Sequence, residues 1–173
     1  MNITETLTDF GSTLELDHIP AGVTERACLL IADSVGVAIR ARKEAESTPA
    51  LLAAVEQMGM ADGDGRVFAD SRGYAFPAAA LINGTLIHSL DFDDTHIAAT
   101  VHPSAPVLAA ALAAGQMANA SGASVVAGVV AGYEVMCRLG ERLNRPIIMI
   151  GAFTRLPRLV PLALRFPQAG RLV

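Results

Sequence analysis

Apolar residues recur at spacings of three and four along most of the chain, and the elements follow from where that rhythm breaks. Ile3, Leu7 and Phe10 mark a first helix over about residues 2–12, with Asn2 or Thr4 as its cap. Pro20, a residue suited to a first helical turn, opens a longer helix over about 20–41. Val23, Ala27, Leu30, Ile31, Ser34, Val35 and Ala38 share its inner face. Pro49 opens a third helix to about Met58, Gly63-Asp64-Gly65 punctuates a turn, and residues 66–69 read as one short extended segment. Pro77 begins a fourth helix through Ile87. Two helices rich in Ala and Gly follow, over about 105–118 and 123–143, with a turn at 119–122. Six helices and almost no strand predict an all-α multi-helix bundle, crossing closely at small side chains.

Composition narrows the function classes. Hydrophobic residues are 52% and charged residues 17% of 173, which excludes a disordered chain. A net charge of −4 argues against a nucleic-acid partner. Gln116, Asn119 and Glu134 interrupt the apolar stretches, so neither is expected to supply the roughly 20 apolar residues of a membrane span. Glu5 and Asp9 stand where a leader would be basic and then apolar. Cys28 and Cys137 read as buried free thiols of a reducing compartment, and the expected location is cytoplasmic.

The chemistry is concentrated in one polar stretch, His88–Ser104, reading HSLDFDDTHIAATVHPS. It holds His88, His96 and His102 together with Asp91, Asp93 and Asp94. Carboxylates that crowded cannot all ionise without penalty, and a neighbouring imidazole can share their proton, which is a setting for proton transfer. A helix continued through the stretch would put His88, Asp91 and Thr95 on one face, with Asp93 and Asp94 turned elsewhere. His102-Pro103-Ser104 stands where the next helix begins, and the positive end of that helix favours an anion. Plainer readings compete: Asp93 and Asp94 as caps or binders of backbone amides, Thr95 as a cap, His96 as structural, His88 as a core histidine. A divalent metal is the rival chemistry, yet no paired His or Asp spacing recurs elsewhere to complete a ligand set. Phosphate-binding, nucleophile-elbow and Cys-x-x-Cys motifs are absent.

DHIPAGVTERACLLIADSVGVAI, AALINGTLIHSLDFDDTH, VHPSAPVLAAALAAG and VAGYEVMCRLG together resemble the MmgE/PrpD family over residues 1 to about 145. That family includes 2-methylcitrate dehydratase, cis-aconitate decarboxylase and iminodisuccinate epimerase. The resemblance implies a helical domain within a longer chain, a second α/β domain, a homodimer, and an active site without metal or other cofactor. Substrates would be di- or tricarboxylates, and the chemistry would turn on a proton alpha to a carboxylate. Carried over by matching motif, Asp91, Thr95 and His102 are the expected catalytic residues: Asp91 or His102 as base, an imidazole as acid, Thr95 orienting a carboxylate. The His102 match rests mainly on His-Pro-Ser.

Residues 146–173 break the pattern, with Arg155, Arg158, Arg165 and Arg171, four prolines and no acidic side chain. Where the family offers Tyr-x-Arg-Gly-(Phe/Val)-His-x-Thr, with a second active-site histidine, this chain has PIIMIGAFTR. Re-read from the third base of Ile148, codons for these residues admit Tyr-Asp-Arg-Gly-Val-His-Ala-Thr. The segment from about Ile147 is therefore expected to be an out-of-frame tail. Residues 44–137 carry only Arg66 and Arg72 as cations, so the expected outcome is a truncated lyase, inactive alone and prone to aggregate. A non-catalytic helical dimerisation protein and a metal-dependent helical hydrolase are the alternatives.

Overall fold

The computed structural model of the chain describes residues 2–143, and the expected tail lies outside them. The described residues form six α-helices: α1 (Ile3–Thr13), α2 (Ala21–Glu44), α3 (Thr48–Gln57), α4 (Phe76–His88), α5 (Ser104–Met117) and α6 (Gly122–Leu143). The all-α bundle is thus as the periodicity predicts. The short extended segment is one arm of a small antiparallel hairpin, β1 (Gly65–Arg66) with β2 (Gly73–Tyr74), in the register Gly65↔Tyr74 and Arg66↔Gly73. Of the two candidate caps for α1, Asn2 serves: its side chain accepts from the Glu5 amide at 2.9 Å, and the Glu5 carboxylate returns the bond to the Asn2 amide at 2.9 Å.

Helix α5 lies at the centre, packed on α4, α6 and α2. Most of its residues are buried, from Ser104 and Ala105 through Leu108 to Gly115, which is why its sequence is apolar all round rather than striped. Small residues permit the crossings. A Cβ added at Gly84 of α4 would come within 3.2 Å of the Ala105 carbonyl oxygen and 3.4 Å of the Ala109 Cβ. One added at Gly132 of α6 would stand 2.6 Å from Val107 Cγ1. Ile82, Leu86, Ile87, Leu108, Val55, Val129 and Tyr74 fill the space between, all with under 2% exposure.

Two polar clusters tie the hairpin to this core. Asn83, buried in α4, accepts from the Phe68 amide at 2.9 Å and donates to the Arg66 carbonyl at 2.9 Å, satisfying its own amide and the chain leaving β1. The Asp70 side chain, 6% exposed, receives Arg42 of α2 at 2.9 Å, the Tyr74 hydroxyl at 2.8 Å and the Arg72 amide at 3.0 Å. Burial would push the Asp70 pKa up. Those hydrogen bonds outweigh it and hold the carboxyl far below its ordinary range.

Two expectations need correction. α6 is long and apolar enough, by length and composition, to cross a membrane, because Glu134 does not interrupt it and the helix runs on from Gly122 to Leu143. In the fold it packs against α5, α2 and α1. Cys28 is exposed on the outer face of α2, and Cys137 is half-buried. Burial, followed by the charges of Asp94, Glu141 and Glu134, pushes the Cys137 thiol up. Alkylation with iodoacetamide at pH 8, followed by mass spectrometry, is therefore expected to modify Cys28 at least about tenfold faster than Cys137.

Candidate active site

The polar stretch begins where α4 ends. His88 is the last residue of α4, and the chain then turns through Asp91, whose amide donates to the His88 carbonyl at 3.0 Å and whose φ is +57°. A left-handed residue cannot continue an α-helix, and aspartate is among the few side chains that adopt it readily. The shared helical face expected for His88, Asp91 and Thr95 therefore does not form. Instead the turn drives Asp93 inward, opposite to its expected direction.

Asp93 is the buried centre of the site. Its side chain has no exposed surface, and both carboxylate oxygens lie near His88 Nδ1, at 3.0 and 3.1 Å. His102 Nδ1 approaches the same carboxylate at 3.6 Å, an ion-pair distance rather than a hydrogen bond. The two imidazoles meet edge to face with centroids 5.0 Å apart. Thr95 Oγ1 stands 3.5 Å from His102 Nδ1, at the limit of a hydrogen bond, and Asp91 is exposed at the rim. Of the expected residues, the structure brings Thr95 and His102 into contact. Asp91 joins them loosely: one donor atom from each of His88, Asp91, Asp93 and His102 lies within 4.8 Å of the others. Four side chains with metal-type donor atoms therefore come together within the one stretch, a grouping that its spacing does not announce. It is assembled by folding rather than by regular spacing.

A second carboxylate sets the frame. Asp94 Oδ1 accepts from the Ser104 amide at 3.0 Å, at the first residue of α5, and Asp94 Oδ2 accepts from the Tyr133 hydroxyl of α6 at 2.9 Å. The Ser104 hydroxyl also bonds the Tyr133 hydroxyl. Burial first, then the nearby Asp94 charge, pushes the Tyr133 phenol well above its ordinary pKa, against the pull of the Ser104 hydrogen bond. The anion expected at the start of α5 is thus the chain's own Asp94. Its two bonds fasten the loop between Asp93 and His102 to α5 and α6 together. His96 is structural, as one reading held: its Nδ1 accepts from the Ala99 amide at 3.2 Å, its Nε2 lies 3.5 Å from Glu141, and its backbone bridges Val101.

A buried carboxylate lies between two imidazoles at a helix junction, within the part of the chain that matches known proteins. Residues 5–149 match the MmgE/PrpD N-terminal domain. The chain belongs to the MmgE/PrpD family. It is 28% identical to a cis-aconitate decarboxylase-like protein, oryM, of Aspergillus oryzae over 149 residues, which are 82% of this chain and 30% of that protein. It is 29% identical to a cis-aconitate decarboxylase of Aspergillus terreus over 148 residues, 82% of this chain and 29% of the relative. The chain spans about 30% of the length of these curated MmgE/PrpD relatives. Asp93, which sequence reasoning turned the wrong way, and His88, which it left open as a core histidine, sit within this MmgE/PrpD match. Their signal was the Ser-Leu-Asp after His88, a place for a turn rather than for more helix.

Proposed function

We propose that the site is part of the active centre of a di- or tricarboxylate lyase, in which a proton is handled at a carbon next to a carboxylate. The observation that carries the reading is the Asp93 carboxylate, without solvent exposure, 3.0 Å from His88 and 3.6 Å from His102. A buried carboxylate of this kind orients an imidazole and stabilises its charged form while a proton passes through it. Asp91, Thr95 and His102 are the proposed substrate-contacting residues: His102 or Asp91 takes the alpha proton, and Thr95 orients a substrate carboxylate. In a dehydration of the 2-methylcitrate type the C–H electron pair becomes the new C=C bond. The beta hydroxyl then departs as water with a proton from an imidazole.

Among the described residues the imidazoles of the site are paired with carboxylates, and the guanidinium groups of Arg42 and Arg72 are engaged by Asp70. A polyanionic substrate needs cations to offset that charge. The purified 173-residue chain is therefore expected to bind cis-aconitate or 2-methylcitrate only in the millimolar range and to show no turnover above the uncatalysed rate. NMR titration of the full chain tests the site: amide shifts concentrated in residues 88–104 support the reading. Shifts confined to other surfaces, or none at millimolar ligand, overturn it.

A further inference from the structure

We propose that His96 is a pH-sensitive positioning residue, whose neutral ring sets the spacing of Thr95 and His102. Residues 96–101 form a miniature hairpin. The His96 amide donates to the Val101 carbonyl at 2.9 Å, the Val101 amide returns to the His96 carbonyl at 3.4 Å, and the Thr100 amide closes the turn on the Ile97 carbonyl at 3.2 Å. In an antiparallel pairing, the residues just outside a bridged pair face each other next. Those residues are Thr95 and His102, whose side chains stand 3.5 Å apart. The His96–Val101 bridge thus governs the distance between two residues proposed to touch substrate. The ring of His96 fastens that hairpin: Nδ1 accepts from the Ala99 amide at 3.2 Å within the turn, and Nε2 lies 3.5 Å from Glu141 of α6. Its tip sits closely on α6, where a Cβ added at Gly140 would stand 2.6 Å from the Ala99 Cβ.

The bond from Ala99 fixes the tautomer. A ring nitrogen that accepts an amide hydrogen carries no proton, so His96 is neutral with its hydrogen on Nε2, the nitrogen beside Glu141. A second proton can add only at Nδ1, where two donors would then meet. The Ala99 bond is lost, and the charged ring is drawn instead to Glu141, a half-exposed carboxylate whose attraction water screens. Each protonation state thus has its own partner. The other charged groups nearby on these two elements are engaged: Asp94 by the Ser104 amide and Tyr133, and Arg138 by Glu134. Cys137, one turn before Glu141, has its thiol pushed up and stays protonated. Histidines change charge between about pH 5 and 8, so acidification across that range opens the turn and loosens Thr95 from His102. Only the value of that spacing for catalysis rests on the lyase reading. The switch itself does not.

The test is NMR of the full 173-residue chain without substrate, from about pH 8 to pH 5. At the upper end, nitrogen-15 correlations of the His96 ring should show hydrogen on Nε2 and none on Nδ1. The Ala99 amide shift should titrate together with that ring. Its protection from exchange should fall about fivefold, the factor that one ordinary hydrogen bond sets. His96→Asn puts a carboxamide oxygen near the place of Nδ1 and cannot titrate, so it should keep the Ala99 amide protected throughout. His96→Ala should lose that protection at every pH. His96 is not a core residue, and far-UV circular dichroism verifies that both variants remain folded. A proton on Nδ1 at the upper end, an Ala99 amide indifferent to the ring titration, or an Asn variant as unprotected as the Ala variant would overturn the proposal. No carboxylate ligand is added, so failure here is distinct from failure of the tricarboxylate titration.

Discussion

Asp94→Ala is expected to destabilise the protein by about 3 kcal/mol, since a hydrogen bond to a charged group contributes roughly 1.5–3 kcal/mol and two are lost. The Ser104 amide and the Tyr133 hydroxyl lose their shared acceptor, at 3.0 and 2.9 Å respectively. The larger consequence is local. Asp94 is the clasp between the Asp93 turn and the start of α5, so without it the segment carrying Thr95, His96 and His102 loses its hydrogen bonds to the Ser104 amide and Tyr133 and keeps the contact of His96 with Glu141 on α6. Hydrogen exchange measured by NMR should show the Ser104 amide exchanging at least about tenfold faster, with the loss spreading through residues 94–104 and sparing α2 and α3. Tyr133→Phe provides the graded comparison. It removes the phenol's bonds to Asp94 and to the Ser104 hydroxyl but leaves Asp94 on the Ser104 amide, so about 2 kcal/mol is expected with little change in Ser104 amide exchange. Equally fast Ser104 amide exchange in the two variants, or uniform protection loss across the bundle, would contradict the clasp.

Asp70→Ala is expected to cost about 3–5 kcal/mol, the range found when one partner of a buried ion pair is removed. Arg42, only 25% exposed at its side chain, would keep its charge without its carboxylate. Arg72 also loses the carboxylate that pairs with it while its guanidinium carbon sits over the ring of Tyr74 at 5.3 Å. The same group predicts an acid-labile fold. Its folded pKa lies below its unfolded value of about 3.9, so its stabilisation is present above about pH 4–5 and declines as the pH falls toward the folded value. Thermal unfolding followed by circular dichroism should show the melting temperature of the native chain falling below pH 4. The difference between native and Asp70→Ala should shrink over the same interval. A difference that stays constant from pH 7 to pH 3 would show that Asp70 acts through packing rather than charge.

The helices were legible because they depend on local period and on proline. Pro20, Pro49 and Pro77 each stand at or beside a helix start, and α5 and α6 follow the small-residue runs. The hairpin was half legible: strands of two residues leave little alternation to read, and the pairing depends on Asn83 and Gln116, distant in sequence, for bonds to Phe68 and Arg66. The location of the site was plain from residue types, whereas its geometry was not. One backbone angle at Asp91, a left-handed turn that no period announces, rotated Asp93 from outside to centre. Tyr133 was quoted only within a motif, since nothing local shows that a phenol on α6 will reach a carboxylate 39 positions earlier. Cys28 shows the opposite error, because an apolar neighbourhood in sequence is not an inward direction on a helix.

The missing side chain at Gly84 has a reach beyond its own crossing. His88 lies one turn further along α4, and His102 just precedes α5, whose Ala105 carbonyl faces that glycine. The gap between the two rings is thus gauged by how near two backbones are allowed to come. A single methyl group inserted there would press the Ala105 carbonyl by a few tenths of an ångström, at the same crossing from which both imidazoles are hung, while touching neither ring.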